Sequence, residues 1–244
     1  MKILISGALL SSLLVATALT PVSAADMTQE RALNVAKEPQ NWLLHHGNYE
    51  GHRFSQLKTI NAENVKDLKI AFAVGLGGVE GAGTRYKFGN LEATPLVEDG
   101  IMYLPDGWGS VYAIDVRDGK KGVIKWKMDP ETNKAWAGDV ACCGVNNRGV
   151  ALWKDKVISV TLDGRLIATN KATGEKVWER KIADPAIAET LTLAPLIVRD
   201  IAIVGGLGSR IPPRRQQVGR QRARAEPQRR QDQMGLSVYA ERPL

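Results

Sequence analysis

The chain has 244 residues, a formal net charge of +7, and 24 glycines, 11 prolines and 6 tryptophans. This composition favours a turn-rich β protein over a helical bundle, and the length suffices for one sizeable core. Residues 206–244 contain nine arginines, no lysine and three acidic residues, whereas the rest of the chain is nearly neutral. The basic isoelectric point is therefore a property of this C-terminal part alone.

The first 24 residues are predicted to be a secretory signal peptide. Lys2 precedes an almost entirely apolar or small stretch over residues 3–19, and Val22 and Ala24 are the small residues of a cleavage site before Ala25. A membrane anchor is the alternative, but the apolar run is short for a bilayer span of about 20 residues and no second run follows. The sequence thus predicts an exported, periplasmic protein without a membrane span after signal removal.

A short polar helix is predicted over residues 26–36, and residues 41–57 are irregular. His45, His46 and His52 lie in this irregular stretch and raise the alternative of a metal cluster. Adjacent histidines point to different sides of an extended chain, and no cysteine or paired carboxylate joins them, so we do not predict a metal site there.

From residue 68 onward, the pattern is one of short strands separated by turns. Asp99-Gly100 is a typical two-residue hairpin turn. Strands separated by turns roughly every 8–12 residues predict an all-β sandwich or propeller. The predicted strands cover residues 68–74, 94–98, 101–103, 111–115, 149–153, 157–161, 166–170, 195–198 and 201–204.

A repeat favours the propeller. Two segments share an Ala-x-(Asp/Asn) tripeptide, a turn glycine and a tryptophan four residues beyond it, and the two tryptophans are 52 residues apart. A recurring tryptophan fits between neighbouring blades if its indole N–H finds a carbonyl and a glycine lets the backbone approach. Two unrelated hairpins are the alternative. The segments are residues 113–115 with Gly122 and Trp126, and residues 168–170 with Gly174 and Trp178.

The only two cysteines, Cys142 and Cys143, are adjacent. In an exported protein two free thiols are uncommon, so they either form a strained disulfide with each other or are two buried thiols. The residues alone leave both alternatives open.

The segment around them closely resembles the vicinal-disulfide segment of PQQ-dependent methanol and ethanol dehydrogenases. The resemblance runs in order from about residue 41 to residue 204, and Gly144 departs from it, because the family usually has aspartate there. The similar segments are residues 138–149, 41–43, 53–57, 60–65, 91–97 and 161–166.

This resemblance implies an eight-bladed β-propeller with PQQ in its central funnel. In that family a ring formed by Cys142 and Cys143 would stack on the quinone, and Arg148 would bind its carboxylates. Thr161 would add a hydroxyl donor, and Glu92 would lie at the cofactor edge. The alternatives are strand-end polar residues for Glu92 and Thr161 and a surface salt bridge for Arg148.

The resemblance also implies the oxidation of an alcohol, with Ca²⁺ as Lewis acid, an aspartate as base and a periplasmic acceptor such as cytochrome c. The calcium ligands and the catalytic aspartate are expected beyond residue 205. A non-enzymatic propeller scaffold of an outer-membrane assembly machine is the alternative function.

Residues 206–244 depart from the family pattern, and we interpret them as an out-of-frame tail. The codons of Met234-Gly235 contain TGG in the next frame, which restores a tryptophan 56 residues after Trp178. A disordered basic tail or a nucleic-acid-binding arm are alternatives, and we predict no nucleic-acid partner. Residues 25–205 are therefore predicted to form about three of eight blades, and the chain is expected to be incomplete and inactive.

Overall fold

The computed structural model describes residues 25–82, 86–134, 141, 144–206 and 237–241. Strands dominate these residues, as the composition predicts. The strands are β1 Glu80–Ala82, β2 Tyr86–Phe88, β3 Asn90–Leu91, β4 Leu96–Glu98, β5 Ile101–Pro105, β6 Val111–Asp115, β7 Val123–Met128, β8 Asn146–Asn147, β9 Ala151–Trp153, β10 Lys156–Val160, β11 Arg165–Asn170, β12 Lys176–Lys181, β13 Leu196–Val198, β14 Ile201–Gly206 and β15 Ser237–Glu241.

Eleven of these strands form three antiparallel meanders, each with the strand order of a propeller blade. The first sheet is β4–β5–β6–β7, the second is β9–β10–β11–β12, and the third is β13–β14–β15. The first two strands of the first sheet are joined at Asp99 and Gly100, whose φ angles of 50° and 75° are those of the predicted tight hairpin turn.

The outer strand of each complete sheet is the least buried one. Four residues of β10 and four of β11 are buried, whereas β7 and β12 are mostly exposed. The main core therefore lies around the central strands, where Val157, Ile158, Leu166 and Ile167 are fully buried. Because both faces of these strands are covered, they lack the strict alternation of a half-exposed sheet.

The tryptophan repeat forms the predicted contact between sheets. The indole N–H of Trp126 on β7 donates to the carbonyl of Lys171, which follows β11, at 2.9 Å. A Cβ atom on Gly174 would lie 2.7 Å from the Trp126 ring, so only glycine fits there. The two hairpins share one register, because Trp126 lies opposite Ala113 and Trp178 lies opposite Ala168, as the repeat predicts.

The N-terminal segment joins the first two sheets. It contains α1 (Gln29–Leu33), capped by the Thr28 hydroxyl, and a 3-10 turn at Val35–Lys37, which confirms the predicted helix. Arg31 from this segment and Lys171 from the second sheet both pair with Glu98 of β4, whose side chain is fully buried. The buried Glu98 carboxylate therefore links the N-terminal segment, the first sheet and the second sheet.

The prediction of a strand over residues 68–74 is wrong. This segment is extended, and Phe72, Val74 and Leu76 alternate with exposed residues, but no described strand pairs with it. Val74 and Leu76 instead pack against Tyr112 and Ile114 of the first sheet. The alternation of period two therefore indicates that one side of this segment is partly buried, although no described strand is hydrogen-bonded to its backbone.

One strand lies inside the predicted irregular tail. The backbone of Ser237–Glu241 pairs antiparallel with β14, from Ala202 opposite Glu241 to Gly206 opposite Ser237. The free edge of β14 offers unpaired backbone groups, and valine and tyrosine favour strands. The tetrapeptide at 237–240 also repeats residues 110–113, which begin the third strand of the first sheet. The rest of the tail, residues 207–236 and 242–244, lies outside the described residues.

Candidate functional site

Two short parallel strands bring together the first two predicted site residues. Asn90 and Leu91 of β3 pair in register with Asn146 and Asn147 of β8. Because parallel strands run in the same direction, the residues that follow them, Glu92 and Arg148, leave the ladder side by side. Arg148 Nη2 lies 3.4 Å from Glu92 Oε2, and about a third of each side chain is exposed (34% and 38%).

Thr192, which precedes the first strand of the third sheet, completes this group. Arg148 Nη1 donates to the hydroxyl of Thr192 at 2.7 Å and lies 3.4 Å from Asn146 Oδ1. The Arg148 main chain is held on both sides, since its N–H donates to the Thr192 carbonyl and its carbonyl accepts from Thr94. The guanidinium is thus fixed in place and still accessible, as an anion-binding group requires.

Glu92, Arg148 and Thr192 occupy the same position in three successive repeats. Each lies four residues before a leucine of the inner strand of its sheet, and the second strand begins four or five residues after that leucine. Equivalent positions of neighbouring blades meet around a common centre. The three leucines are Leu96, Leu152 and Leu196.

The loop between β5 and β6 packs against the two strands that carry this site. A Cβ atom on Gly107 would lie 2.8 Å from the Val145 carbonyl and 3.0 Å from the Asn90 carbonyl, so the loop packs directly against β3 and β8. Asp106 accepts backbone hydrogen bonds from Trp108 and Ser110, both at 3.0 Å, which closes the loop. Trp108 is almost fully buried. The site therefore lies against a loop that is closely packed and closed by hydrogen bonds.

Thr161 lies in a different local network. It is fully buried, and its hydroxyl donates to Asp163 and accepts from the Arg165 N–H at 3.1 Å. Burial would raise the pKa of Asp163, but hydrogen bonds from Arg165 and Thr161 hold that pKa below its ordinary value. In the described part of the chain, no contact joins the Thr161 hydroxyl to Glu92 or Arg148.

The predicted cysteine pair, Cys142 and Cys143, lies outside the described residues. The residues on either side of it, Ala141 and Val145, are buried in one cluster with Trp108 and Leu162. Because Trp108 belongs to the loop between β5 and β6, this cluster adjoins the site.

Within the described ranges, no three His, Cys, Asp or Glu side chains converge. His45 and His46 stack edge to face with ring centroids 4.5 Å apart, and His52 is bonded to Asn48. No helix in the described part of the chain is long and apolar enough to cross a bilayer.

Sequence reasoning missed Thr192. The signal was present in the repeat, because the segments Glu92-Ala-Thr-Pro-Leu96, Arg148-Gly-Val-Ala-Leu152 and Thr192-Leu-Ala-Pro-Leu196 align residue for residue.

Comparison with known proteins identifies the family of this structure. Residues 42–223 match the β-propeller domain of glucose, ethanol and alcohol dehydrogenases, the PQQ family. The chain belongs to this family. The match confirms the predicted resemblance and the all-β propeller class.

Similar proteins in this PQQ family are alcohol-oxidising enzymes. The chain is 40% identical over 201 residues to quinohemoprotein alcohol dehydrogenase ADH IIB of Pseudomonas putida, covering 82% of this chain and 27% of that protein. It is 34% identical over 209 residues to methanol dehydrogenase [cytochrome c] subunit 1 of Methylorubrum extorquens, covering 82% of this chain and 32% of the relative.

A solved structure of a europium-containing methanol dehydrogenase has a similar fold. It superposes with a TM-score of 0.64 at 37% identity, covering 73% of this chain and 29% of that one. The chain therefore spans less than a third of the length of these relatives.

Proposed function

We propose that this chain carries one side of the cofactor site of a PQQ-dependent alcohol dehydrogenase. The observation that supports this most directly is the Glu92–Arg148–Thr192 group, in which a fixed guanidinium is flanked by a carboxylate and a hydroxyl. Family membership supports the cofactor class, and this geometry is the basis for proposing the residues.

The residues fit the chemistry of PQQ, a planar quinone with three carboxylates. Arg148 has five N–H donors, and a guanidinium binds carboxylates through paired, charge-assisted hydrogen bonds. Its contact with Glu92 is long, at 3.4 Å, so donor capacity remains for a second anion. The Thr192 hydroxyl accepts from Arg148 and can donate its own proton to a carboxylate oxygen.

When bound, PQQ supplies the quinone that accepts hydride from the alcohol. The described residues orient and hold it. Arg148 neutralises its carboxylates, and Glu92 accepts a hydrogen bond at its edge, directly or through water. Cys142 and Cys143 are proposed to form a ring that stacks on its face, and Thr161 is proposed as a further hydroxyl contact at the end of β10.

The remaining parts of the reaction follow from the family. We propose that a cytochrome c or similar periplasmic protein accepts the electrons and that a metal ion polarises the quinone. Ca²⁺ is our assignment, and one protein of similar fold is a europium-containing methanol dehydrogenase. The calcium ligands and the catalytic aspartate are proposed to follow residue 205.

The organisation of the chain is also a proposal. Residues 1–24 are assigned as the signal peptide, residues 25–205 as a partial propeller, and residues 206–244 as an out-of-frame tail. On this assignment the protein resides in the periplasm and the chain alone does not oxidise alcohols. A scaffold role in outer-membrane assembly is not favoured, because a scaffold does not require a fixed guanidinium flanked by a carboxylate and a hydroxyl.

Equilibrium binding of PQQ, followed by quenching of tryptophan fluorescence, tests the proposal. We expect Arg148→Lys to raise the Kd at least about tenfold, because lysine cannot form the planar paired hydrogen bonds. Arg117→Lys is the matched control, since Arg117 is exposed and, among the described polar contacts, pairs only with Asp115 at the end of β6. Equal affinity of both variants, or no PQQ binding by the parent protein, would contradict the proposal.

The cysteine assignment needs its own test. Mass spectrometry of the unreduced, exported protein should show a Cys142–Cys143 peptide lacking the two thiol hydrogens, and alkylation should label both only after reduction. Alkylation of both without reductant would remove the stacking ring from the proposal and leave the Arg148 group untouched.

A further inference from the structure

Asn147 directly precedes Arg148 in the chain and is buried, with 2% of its surface exposed. Its side chain forms two hydrogen bonds. The Oδ1 atom accepts from the N–H of Gly149 at 3.0 Å, and the Nδ2 atom donates to the carbonyl of Val160 at 2.9 Å. Because a carbonyl can only accept and a main-chain N–H can only donate, these two partners fix which end of the amide carries the oxygen.

The bond to Gly149 closes a tight turn that has Arg148 at its apex. A side-chain oxygen that accepts from the N–H two residues later forms an Asx turn, which bends the backbone at the residue in between. Gly149 completes the bend with a φ angle of +148°, which L side chains rarely adopt. The turn therefore sets the direction in which the Arg148 side chain leaves β8.

The bond to Val160 fastens this turn to the second sheet. The ladder between β9 and β10 ends with Ile158 opposite Ala151, so the Val160 carbonyl lies two residues beyond it, and Asn147 provides the donor there. The loop between β5 and β6 reaches the same carbonyl, because a Cβ atom on Gly109 would lie 3.1 Å from it. One amide group thus holds the turn against both the end of β10 and this loop.

We propose that Asn147 is a positioning residue for Arg148, which holds the guanidinium beside Glu92 and Thr192 in the orientation that binds a carboxylate of PQQ. The inference rests on the proposed function of Arg148. Asn147 is buried and acts through its neighbour, not on the cofactor. A guanidinium that is already held in its bound orientation loses less conformational entropy when an anion arrives, and its affinity is correspondingly higher.

The test compares PQQ with its trimethyl ester, which keeps the ring system but lacks the carboxylate charges. Binding to the full chain is followed by quenching of tryptophan fluorescence. Asn147→Ala should raise the Kd of PQQ at least about fivefold, the scale of one lost hydrogen bond. The Kd of the ester should change by less than about twofold, because the ester lacks the charged groups that a guanidinium binds. General damage to the fold would weaken both probes alike.

A second comparison determines whether Asn147 acts through Arg148. In the Arg148→Ala background, Asn147→Ala should have almost no further effect on PQQ affinity, because no guanidinium remains to be positioned. Asn61→Ala is the matched control. It removes the same kind of turn from an exposed segment, where Asn61 Oδ1 accepts from the N–H groups of Glu63 and Asn64, both at 3.1 Å. This variant should bind PQQ like the parent protein.

Three results would overturn the proposal: unchanged PQQ affinity in Asn147→Ala, equal losses for PQQ and the ester, or an equal effect of Asn147→Ala with and without Arg148. Should Asn147→Ala fail to fold, Asn147→Ser replaces it. The serine hydroxyl can still accept from the Gly149 N–H, so the loss for PQQ should be smaller but equally selective against the ester.

The ¹⁵Nε resonance of Arg148, measured without PQQ, separates this inference from the proposed function. We expect the resonance to shift in Asn147→Ser and to stay in place in Asn61→Ala. Absence of PQQ binding by the parent protein would sink the proposed function, whereas an unshifted Arg148 resonance in Asn147→Ser would sink the positioning role of Asn147.

Discussion

Trp126 and Lys171 join the first and second sheets through one hydrogen bond, from an indole N–H to a main-chain carbonyl 2.9 Å away. The same lysine extends its ammonium group to the buried Glu98 of the first sheet, at 2.7 Å. Lys171 therefore contributes both its backbone and its side chain to the interface that positions Glu92 relative to Arg148.

Replacing Trp126 by phenylalanine should cost about 1–3 kcal/mol of unfolding free energy, because the Lys171 carbonyl loses its donor in a partly buried place. Trp178 is the matched control. It occupies the equivalent position of the second sheet, but its indole nitrogen is buried with no partner in the described residues. Trp178→Phe should therefore destabilise less. Urea unfolding measures both, and equal losses would contradict a role for the Trp126 hydrogen bond.

Gly174→Ala should be more costly than Gly119→Ala. Both glycines have positive φ angles, +78° and +68°, so an alanine is strained by about 1–2 kcal/mol at either place. Only at Gly174 would the new Cβ meet the Trp126 ring, at 2.7 Å, whereas nothing lies within 4 Å of it at Gly119. Overpacking should add about 1–3 kcal/mol at Gly174, measurable as a lower urea midpoint.

Much of this fold could be predicted because each sheet repeats a local pattern. A turn such as Asp99-Gly100 depends on a few neighbouring residues, and so does the position of Trp126 or Trp178 within its hairpin. Such features can therefore be predicted from the local sequence. The segment at 68–74 shows the limit. Its alternation predicts which side chains are buried, but a strand also requires a partner backbone, which no local pattern specifies.

The candidate site was predictable only in part for a related reason. Glu92 and Arg148 follow two strands that lie 56 residues apart in sequence and pair in register, which a linear motif does not reveal. Thr161 was selected because it follows a strand, and many polar residues do. Thr192 was recoverable from the repeat, once the three inner strands were aligned on Leu96, Leu152 and Leu196.

Thr192→Val should weaken PQQ binding about fivefold, because the loss of one hydroxyl frees Arg148 on one side and removes a donor, an effect of roughly 1 kcal/mol. Thr173→Val is the control, since Thr173 is exposed and bonded only within its own turn. Thr161→Val tests the further hydroxyl contact in the same way. If Thr192→Val leaves PQQ affinity unchanged at equal stability, the assignment of Thr192 is wrong.

The contact between Arg31 and Glu38 should make the docking of the N-terminal segment sensitive to pH. Arg31 Nε and Nη2 each lie 2.7 Å from a different oxygen of Glu38. These hydrogen bonds hold the pKa of Glu38 below its ordinary value of 4.5, despite the opposing effect of burial. A carboxyl group whose pKa is lowered in the folded state stabilises that state above its unfolded pKa and loses the contribution as the pH falls through the folded pKa.

Unfolding midpoints in urea, measured from pH 7 down to about pH 3, should therefore fall more steeply below about pH 4.5 in the parent protein than in Glu38→Gln. At pH 7 the variant should be less stable by roughly 1 kcal/mol, the scale of a partly exposed ion pair with good geometry. Glu63→Gln is the control, because Glu63 is exposed and its side chain forms no ion pair among the described contacts. Parallel pH curves for the parent and Glu38→Gln would show that this carboxylate does not hold the segment, and the anchoring would then rest on Glu98, which Arg31 also contacts.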